Sequence, residues 1–174
     1  MRLSIALGCL VLAGSPLNAD PATLINTLPD RPVFNIVAYG LTVSRTLAPG
    51  NRIAVTPGLF SGLGEKRVVL GSGITYYLAR FGGIPRLYRL GSDQILILNQ
   101  SGRAVPVILG TPSVSAVLAA GNLALGALID GTLRVDWSDG DHNRSATLQG
   151  AGVYRLVLDS PEGVGQTVSL VRWE

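Results

Sequence analysis

The sequence contains very few of the side chains on which most enzyme active sites depend. Its single cysteine is Cys9 and its single histidine is His142. Zinc and copper sites are built from clusters of these two residues, so the composition excludes such a site. The Gly-x-Ser-x-Gly turn that presents a nucleophilic serine is also absent. The sequence therefore predicts a non-enzymatic protein with no catalytic residues, although a site made of carboxylates alone stays open.

Charged residues are also scarce, at 14% of the chain, and nearly balanced in sign. Residues 20–174 hold 13 basic and 11 acidic residues, a net charge of +2. A nucleic-acid-binding domain usually carries a much larger basic excess. We therefore expect no nucleic-acid partner.

A short apolar segment opens the sequence. It begins with a basic residue, Arg2, stays apolar to Ala13 and reaches the small residue Ala19 before Asp20. This order is typical of a secretory signal peptide. We predict cleavage after Ala19 and a periplasmic, extracellular or cell-surface location. Cys9 would be lost with the signal peptide, and a lipid anchor on Cys9 is the alternative.

The longest uncharged stretch is Ala104–Ile129. Its length would allow a membrane-spanning helix, but Pro106 and Pro112 would break one. Two apolar segments flank Gly121-Asn122, a dipeptide typical of a tight turn, which predicts a β-hairpin. Strands that are apolar on both faces belong inside a sandwich or at a subunit contact. We therefore predict that this hairpin forms the interior of the domain.

Turn signals recur every 8 to 12 residues along the rest of the chain, the spacing of an all-β domain. We predict an antiparallel β-sandwich of immunoglobulin-like or jelly-roll kind. It would cover residues 33–174, after a signal peptide (1–19) and an N-terminal lead-in (20–32) in which Ala22–Leu28 could form a helical turn. The alternatives are two small β subdomains that meet near residue 110 and a small outer-membrane β-barrel.

An acidic segment between two of the predicted strands carries oxygen ligands at alternate positions. These candidate calcium ligands are Asp139, Asp141 and Asn143, spaced as in the first half of an EF-type calcium loop. Arg144 stands where such a loop needs glycine. The alternative is an ordinary hairpin tip, spanning residues 138–144, in which aspartate, asparagine and glycine stabilise the turn. We expect no other cofactor.

Tyrosine and arginine are concentrated in two adjacent predicted strands. A surface of this composition can bind a carbohydrate or an anionic polymer. The candidate ligand-binding residues are Tyr76, Tyr77, Arg80, Arg86, Tyr88 and Arg89. The alternative is a pair of half-buried strands whose arginine stems cover apolar surface.

The scarcity of catalytic groups and the surplus of apolar strand residues favour a role in binding. Apolar strand surface can mark an interface, and sheet edges can pair between chains. We therefore expect a secreted protein that binds a protein partner or assembles with itself at the cell envelope. The alternative is a module that binds carbohydrate or an anionic polymer.

Overall fold

The computed structural model describes residues 19–63, 67–110, 112–140, 142–159 and 166–173. Within these ranges the chain forms strands and turns and no helix, so none could span a membrane as a helix. The predicted all-β sandwich, with two small subdomains, is confirmed. The predicted signal peptide up to residue 18 and the candidate ligand Asp141 lie outside the described residues.

Sixteen strands occur in the described ranges, most of them alternating in burial. In chain order they are β1 (Ala22–Asn26), β2 (Val33–Ala38), β3 (Leu41–Thr46), β4 (Arg52–Val55), β5 (Leu59–Ser61), β6 (Val68–Val69), β7 (Thr75–Phe81), β8 (Ile84–Arg89), β9 (Gln94–Asn99), β10 (Val105–Leu109), β11 (Val114–Leu118), β12 (Leu123–Ala127), β13 (Thr132–Asp139), β14 (His142–Gln149), β15 (Gly152–Leu158) and β16 (Val168–Arg172).

The strands form four open sheets, each with two edge strands. Sheet A has the order β4-β1-β7-β8, and sheet B has the order β3-β2-β5-β6. Sheet C has the order β12-β9-β15-β16, and sheet D has the order β11-β10-β13-β14. Neighbouring strands are antiparallel except for two parallel pairs, β1 with β7 and β9 with β15.

The second eight strands repeat the pairing of the first eight, strand for strand. Adding eight to each strand number converts sheet A into sheet C and sheet B into sheet D. The register repeats as well: Ile25 lies opposite Arg52 in sheet A, and the equivalent Leu98 lies opposite Leu123 in sheet C. We call residues 20–92 the first repeat and residues 93–174 the second repeat. Residue 110 lies between β10 and β11, within the second repeat.

The four sheets stack in the order B, A, C, D around three apolar layers. Phe34 and Phe60 of sheet B pack against sheet A, with their ring centroids 5.3 Å apart. Trp137 of sheet D packs against sheet C. The middle layer joins the repeats, because Tyr77 of sheet A and Leu98 of sheet C belong to one buried cluster.

Strand β9 is buried on both faces, whereas four of the five residues of β11, in the predicted hairpin within Ala104–Ile129, are exposed. Ile95 and Ile97 face sheet D, whereas Leu96 and Leu98 face sheet A. The predicted hairpin is wrong because β11 and β12 belong to different sheets. The turn between them is held by Asn99, whose backbone bonds to both turn residues and so directs the chain from sheet D to sheet C.

The predicted helical turn in the N-terminal lead-in is also wrong. Ala22–Asn26 is a central strand of sheet A, with β4 on one side and β7 on the other. Ala22 and Leu24 are fully buried in the layer between sheets A and B. Hydrogen bonds to strands on both sides determine the conformation of this segment, and the residues of those two strands lie far away in the sequence.

A buried asparagine ends the first strand of each repeat. The Nδ2 group of Asn26 donates to the carbonyl oxygens of Asp30 and Leu47, both at 2.8 Å. Its Oδ1 accepts a hydrogen bond of 2.9 Å from the backbone N–H of Leu28. One amide thus ties β1 to the turn before β2 and to the end of β3.

Asn99 makes the equivalent bonds in the second repeat. Its Nδ2 group donates to the carbonyl oxygens of Arg103 at 2.7 Å and Leu118 at 2.6 Å. Its Oδ1 accepts from the backbone N–H of Ser101 at 3.1 Å. The two asparagines are each 0% exposed, so water cannot replace either set of bonds.

Replacing Asn26 or Asn99 with alanine should destabilise the protein by about 3 kcal/mol, because one carbonyl group and one N–H group lose this partner in a buried setting and a second, half-buried carbonyl loses it as well. Urea unfolding followed by circular dichroism measures this loss. The control is Asn143→Ala, at an exposed position of β14, which should change stability by less than about 0.5 kcal/mol. Equal unfolding midpoints for Asn99→Ala and the control would contradict the proposed role of the buried amide.

Candidate functional site

Exposed apolar side chains are concentrated along one side of each repeat. We define the first edge as strands β3 and β4 with the turn at residues 39–40. We define the second edge as strands β11 and β12 with the turn at residues 128–131. Seven of the thirteen large apolar side chains found exposed in the described residues lie on these two edges. They are Tyr39, Leu41, Val43, Val114, Val117, Leu125 and Ile129.

The first edge is the open side of the sandwich made by sheets A and B. All six residues of β3 are exposed, including Leu41 at 69% and Val43 at 39%. A groove of about 240 Å³ separates β3 from β4 and is lined by Ile36, Val43 and Val55 among others. The side of β3 that faces away from β2 pairs with no strand among the described residues.

The second edge is the equivalent side of the second repeat. Val114 and Val117 of β11 are 63% and 68% exposed, although they point to opposite faces of the strand. Leu125 and Ile129 extend the apolar surface along β12 and the turn that follows. The second edge therefore resembles the first in backbone position and in apolar exposure.

A groove on the outer face of sheet D is lined by two arginines and one aspartate. Its volume is about 410 Å³, and Arg134 and Asp136 lie in its floor with a closest N–O distance of 3.1 Å. Hydrogen bonds from Arg134 and Ser145 hold the pKa of the Asp136 carboxyl below its usual range. Arg134 and Asp136 neutralise each other, so Arg144 is the one charge of this lining that the pair leaves over.

The two candidate calcium ligands among the described residues, Asp139 and Asn143, do not converge. The predicted loop at residues 138–144 is wrong, because β13 continues to Asp139 and β14 begins at His142. Asn143 lies opposite Ser138, so its side chain leaves the opposite face of sheet D from that of Asp139. No group of three His, Cys, Asp or Glu residues suited to a metal occurs in the described ranges.

Asp139 instead has a structural role inside the second repeat. Its Oδ2 accepts a hydrogen bond of 2.6 Å from the backbone N–H of Val168. Its Oδ1 accepts from Nη1 of Arg103 at 3.2 Å. The Asp139 side chain is 2% exposed, so these bonds link β13 to the start of β16 in a dry environment.

The six candidate ligand-binding residues are divided between the two faces of sheet A. Tyr76 points into the layer between sheets A and B, where its hydroxyl accepts from the backbone N–H of Gly71 at 2.9 Å. Tyr77 and Tyr88 point into the layer between sheets A and C. Tyr76 and Tyr77 are thus core residues of different layers, and Tyr88 is partly buried against the second of these layers.

The three arginines of that set do not form a single surface either. Arg89 lies opposite Tyr76, and Arg86 lies opposite Ala79, so their side chains leave opposite faces of β8. Arg80 donates to Asp30 at 2.7 Å near the end of β7. A groove at the junction of the repeats is lined by two of the six residues, Tyr77 and Arg89.

Sequence reasoning missed the first edge. Leu41–Thr46 alternates apolar and polar residues, which predicts a strand but does not indicate whether a second strand covers it. The absence of acidic residues and proline in β3 is the one local signal, because edge strands often carry such residues as protection. That signal is weak in a strand of six residues.

Replacing Asp139 with alanine should destabilise the protein by about 2–3 kcal/mol, because a buried N–H group loses its acceptor and Arg103 loses its ion pair. The loss should be the same with added calcium and with a chelator, since the carboxylate serves the fold. Thermal unfolding measures both effects, with Asp93→Ala as the exposed control. A destabilisation that appears only when calcium is present would contradict this role and restore the calcium hypothesis.

Comparison of this sequence with protein-family models and with curated proteins finds no match. The function is therefore inferred from the two edges, whose exposure, composition and repeat-related positions are properties of this chain.

Proposed function

We propose that the protein is a non-enzymatic binding or assembly protein of the cell envelope, and that the first edge binds a strand of another protein chain. The observation that carries this proposal is a six-residue edge strand, exposed along its whole length and bordered by an apolar groove. Secretion to the periplasm or cell surface is part of the proposal and is supported by the apolar N-terminal segment of the sequence.

The backbone of β3 supplies the first half of such an interaction. An edge strand presents N–H and C=O groups that a peptide in extended conformation can pair with, a mode known as strand addition. These main-chain hydrogen bonds provide affinity for any extended chain. Binding of this kind requires neither a catalytic group nor a cofactor in the protein.

The groove supplies the second half, because it provides selectivity. Alternate side chains of an added strand point to one face, so they would enter the groove between β3 and β4. Ile36, Val43 and Val55 line that groove and favour apolar side chains. We therefore expect the bound segment to alternate apolar and polar residues.

The other edge of sheet B is less suited to strand addition than β3. At the far side of sheet B, β6 has two residues, too few for a stable ladder. β3 has neither proline nor lysine, and its one charged residue is Arg45. Natural sheets usually protect a long edge with such residues, so an unprotected edge favours a role in binding.

Two lysines on the first edge should abolish binding. In the first-edge variant, Leu41→Lys is combined with Val43→Lys, which places two charges beside the groove where the added strand would lie. The control variant combines Val69→Lys with Ile84→Lys, at exposed positions of β6 and β8, and matches the charge change. The measurement is chemical crosslinking of the tagged protein in its own cell envelope, with crosslinked proteins identified by mass spectrometry.

The wild-type protein and the control variant should yield the same defined crosslinked species, and the first-edge variant should lose it while its melting temperature stays within a few degrees of the control. If the first-edge variant kept the crosslinked species, the first edge would not be the binding site.

A second candidate function is binding of an anionic polymer in the groove at the junction of the repeats. The groove has a volume of about 480 Å³ and is lined by Tyr77, Arg89 and Gly152 among others. An exposed arginine that lines an open groove suits sulfate or carboxylate groups.

Arg89→Ala should then elute from heparin–agarose at a clearly lower salt concentration than Arg31→Ala. Both changes remove one exposed arginine from the first repeat and alter the net charge equally. A difference in the salt concentration at elution would therefore come from binding in the groove and not from the net charge. Identical elution of the two variants would rule out this groove as the polymer site.

A further inference from the structure

The charges of the chain are divided unequally between the two repeats. The first repeat, residues 20–92, holds eight basic and three acidic residues, a net charge of +5. The second repeat, residues 93–174, holds five basic and eight acidic residues, a net charge of −3. The net charge of the whole chain is therefore small although its two repeats carry net charges of opposite sign. The first repeat of one copy attracts the second repeat of another copy.

The same division appears at the two edges. The first edge carries Arg45 and Arg52 and no acidic residue. In the second edge, β11 and β12 hold no charged residue, and the exposed Asp130 follows β12. The first edge is thus basic and the second edge acidic.

The repeat relates the two edges residue by residue. Arg45 lies opposite Phe34 in sheet B, and the equivalent Ala116 lies opposite Val107 in sheet D. Arg52 is likewise equivalent to Leu123. The two edges therefore share a backbone arrangement and apolar exposure but differ in charge.

These observations indicate which pairing of edges is favoured. Two first edges would bring arginine against arginine, and two second edges would bring aspartate close to aspartate. A first edge against a second edge joins opposite charges and buries apolar side chains on both. Complementary charge of this kind selects a partner more than it adds affinity.

We infer that the chain bound at the first edge is a second copy of this protein, which contributes its second edge. This inference rests on the proposed function and names its partner. Every copy has one edge of each kind, so the contact is head-to-tail and leaves a free edge at both ends of a dimer. Further copies can add at those ends, and the assembly grows into a chain or closes into a ring.

Mixing two blocked variants tests this inference. The second-edge variant combines Val114→Lys with Val117→Lys, and the first-edge variant is the one described above. Each should be monomeric alone, with self-association weakened about 100-fold or more, since each loses a central apolar contact and gains two charges. An equimolar mixture should form a 1:1 dimer, because each variant keeps the edge that the other has lost. Analytical ultracentrifugation of the purified secreted protein measures all three samples.

The control variant should associate like the wild-type protein, and raising sodium chloride from 50 to 500 mM should weaken the association of both. A mixture that stays monomeric would overturn the head-to-tail contact, as would a second-edge variant that associates normally. Salt-independent association would overturn the role of charge.

The outcomes also separate this inference from the proposed function. If the purified wild-type protein stays monomeric at all concentrations while the first-edge variant still loses a crosslinked species in the envelope, the partner is a different protein and the self-assembly inference fails alone. If the crosslinked species survives in the first-edge variant, the proposed function fails as well.

Discussion

The fold depends on a buried amide at the end of the first strand of each repeat. Asn26 and Asn99 each satisfy two carbonyl groups and one N–H group from three separate segments. Their own backbones also bond to the turn that leads from the third strand of the repeat to the fourth. In both repeats this turn is where the chain passes from one sheet to the other. An asparagine with this set of bonds thus determines that the third and fourth strands belong to different sheets, which is the feature that makes each repeat a sandwich.

Much of the strand content could be predicted from the sequence, because alternation of apolar and polar residues reflects local geometry. Strand β3 follows that alternation over Leu41–Thr46. Sheet membership could not be predicted in the same way. Leu118 and Leu123 flank a Gly-Asn turn that suits a hairpin and a crossover between sheets equally well, and the choice depends on Asn99, about twenty residues earlier.

The repeat is evident in the pairing of strands and barely visible in the sequence. Equivalent positions keep their place in a layer but not their chemistry, as Tyr77 and Arg155 show. The sequence Tyr-Arg-Leu occurs twice, at residues 88–90 and 154–156, but its two copies are not equivalent in the repeat. Tyr88 lies in β8, whereas Tyr154 lies in β15 and is equivalent to Tyr76. The segments Leu47-Ala48-Pro49-Gly50-Asn51 and Leu118-Ala119-Ala120-Gly121-Asn122 do correspond, since both form the turn held by the buried asparagine. The candidate site at the first edge could not be predicted from the sequence, since the exposure of β3 depends on which strands surround it.

The middle layer has a consequence for the history of the chain. Sheets A and C meet through equivalent faces, on which Ile25 of the first repeat corresponds to Leu98 of the second. A half-length ancestor with one repeat would have left this apolar face in water, and two such chains would have covered it by pairing. Joining the two genes makes that contact independent of protein concentration. A single chain can also carry different residues in its two halves, as the opposite net charges of the two repeats show, which a pair of identical chains cannot do.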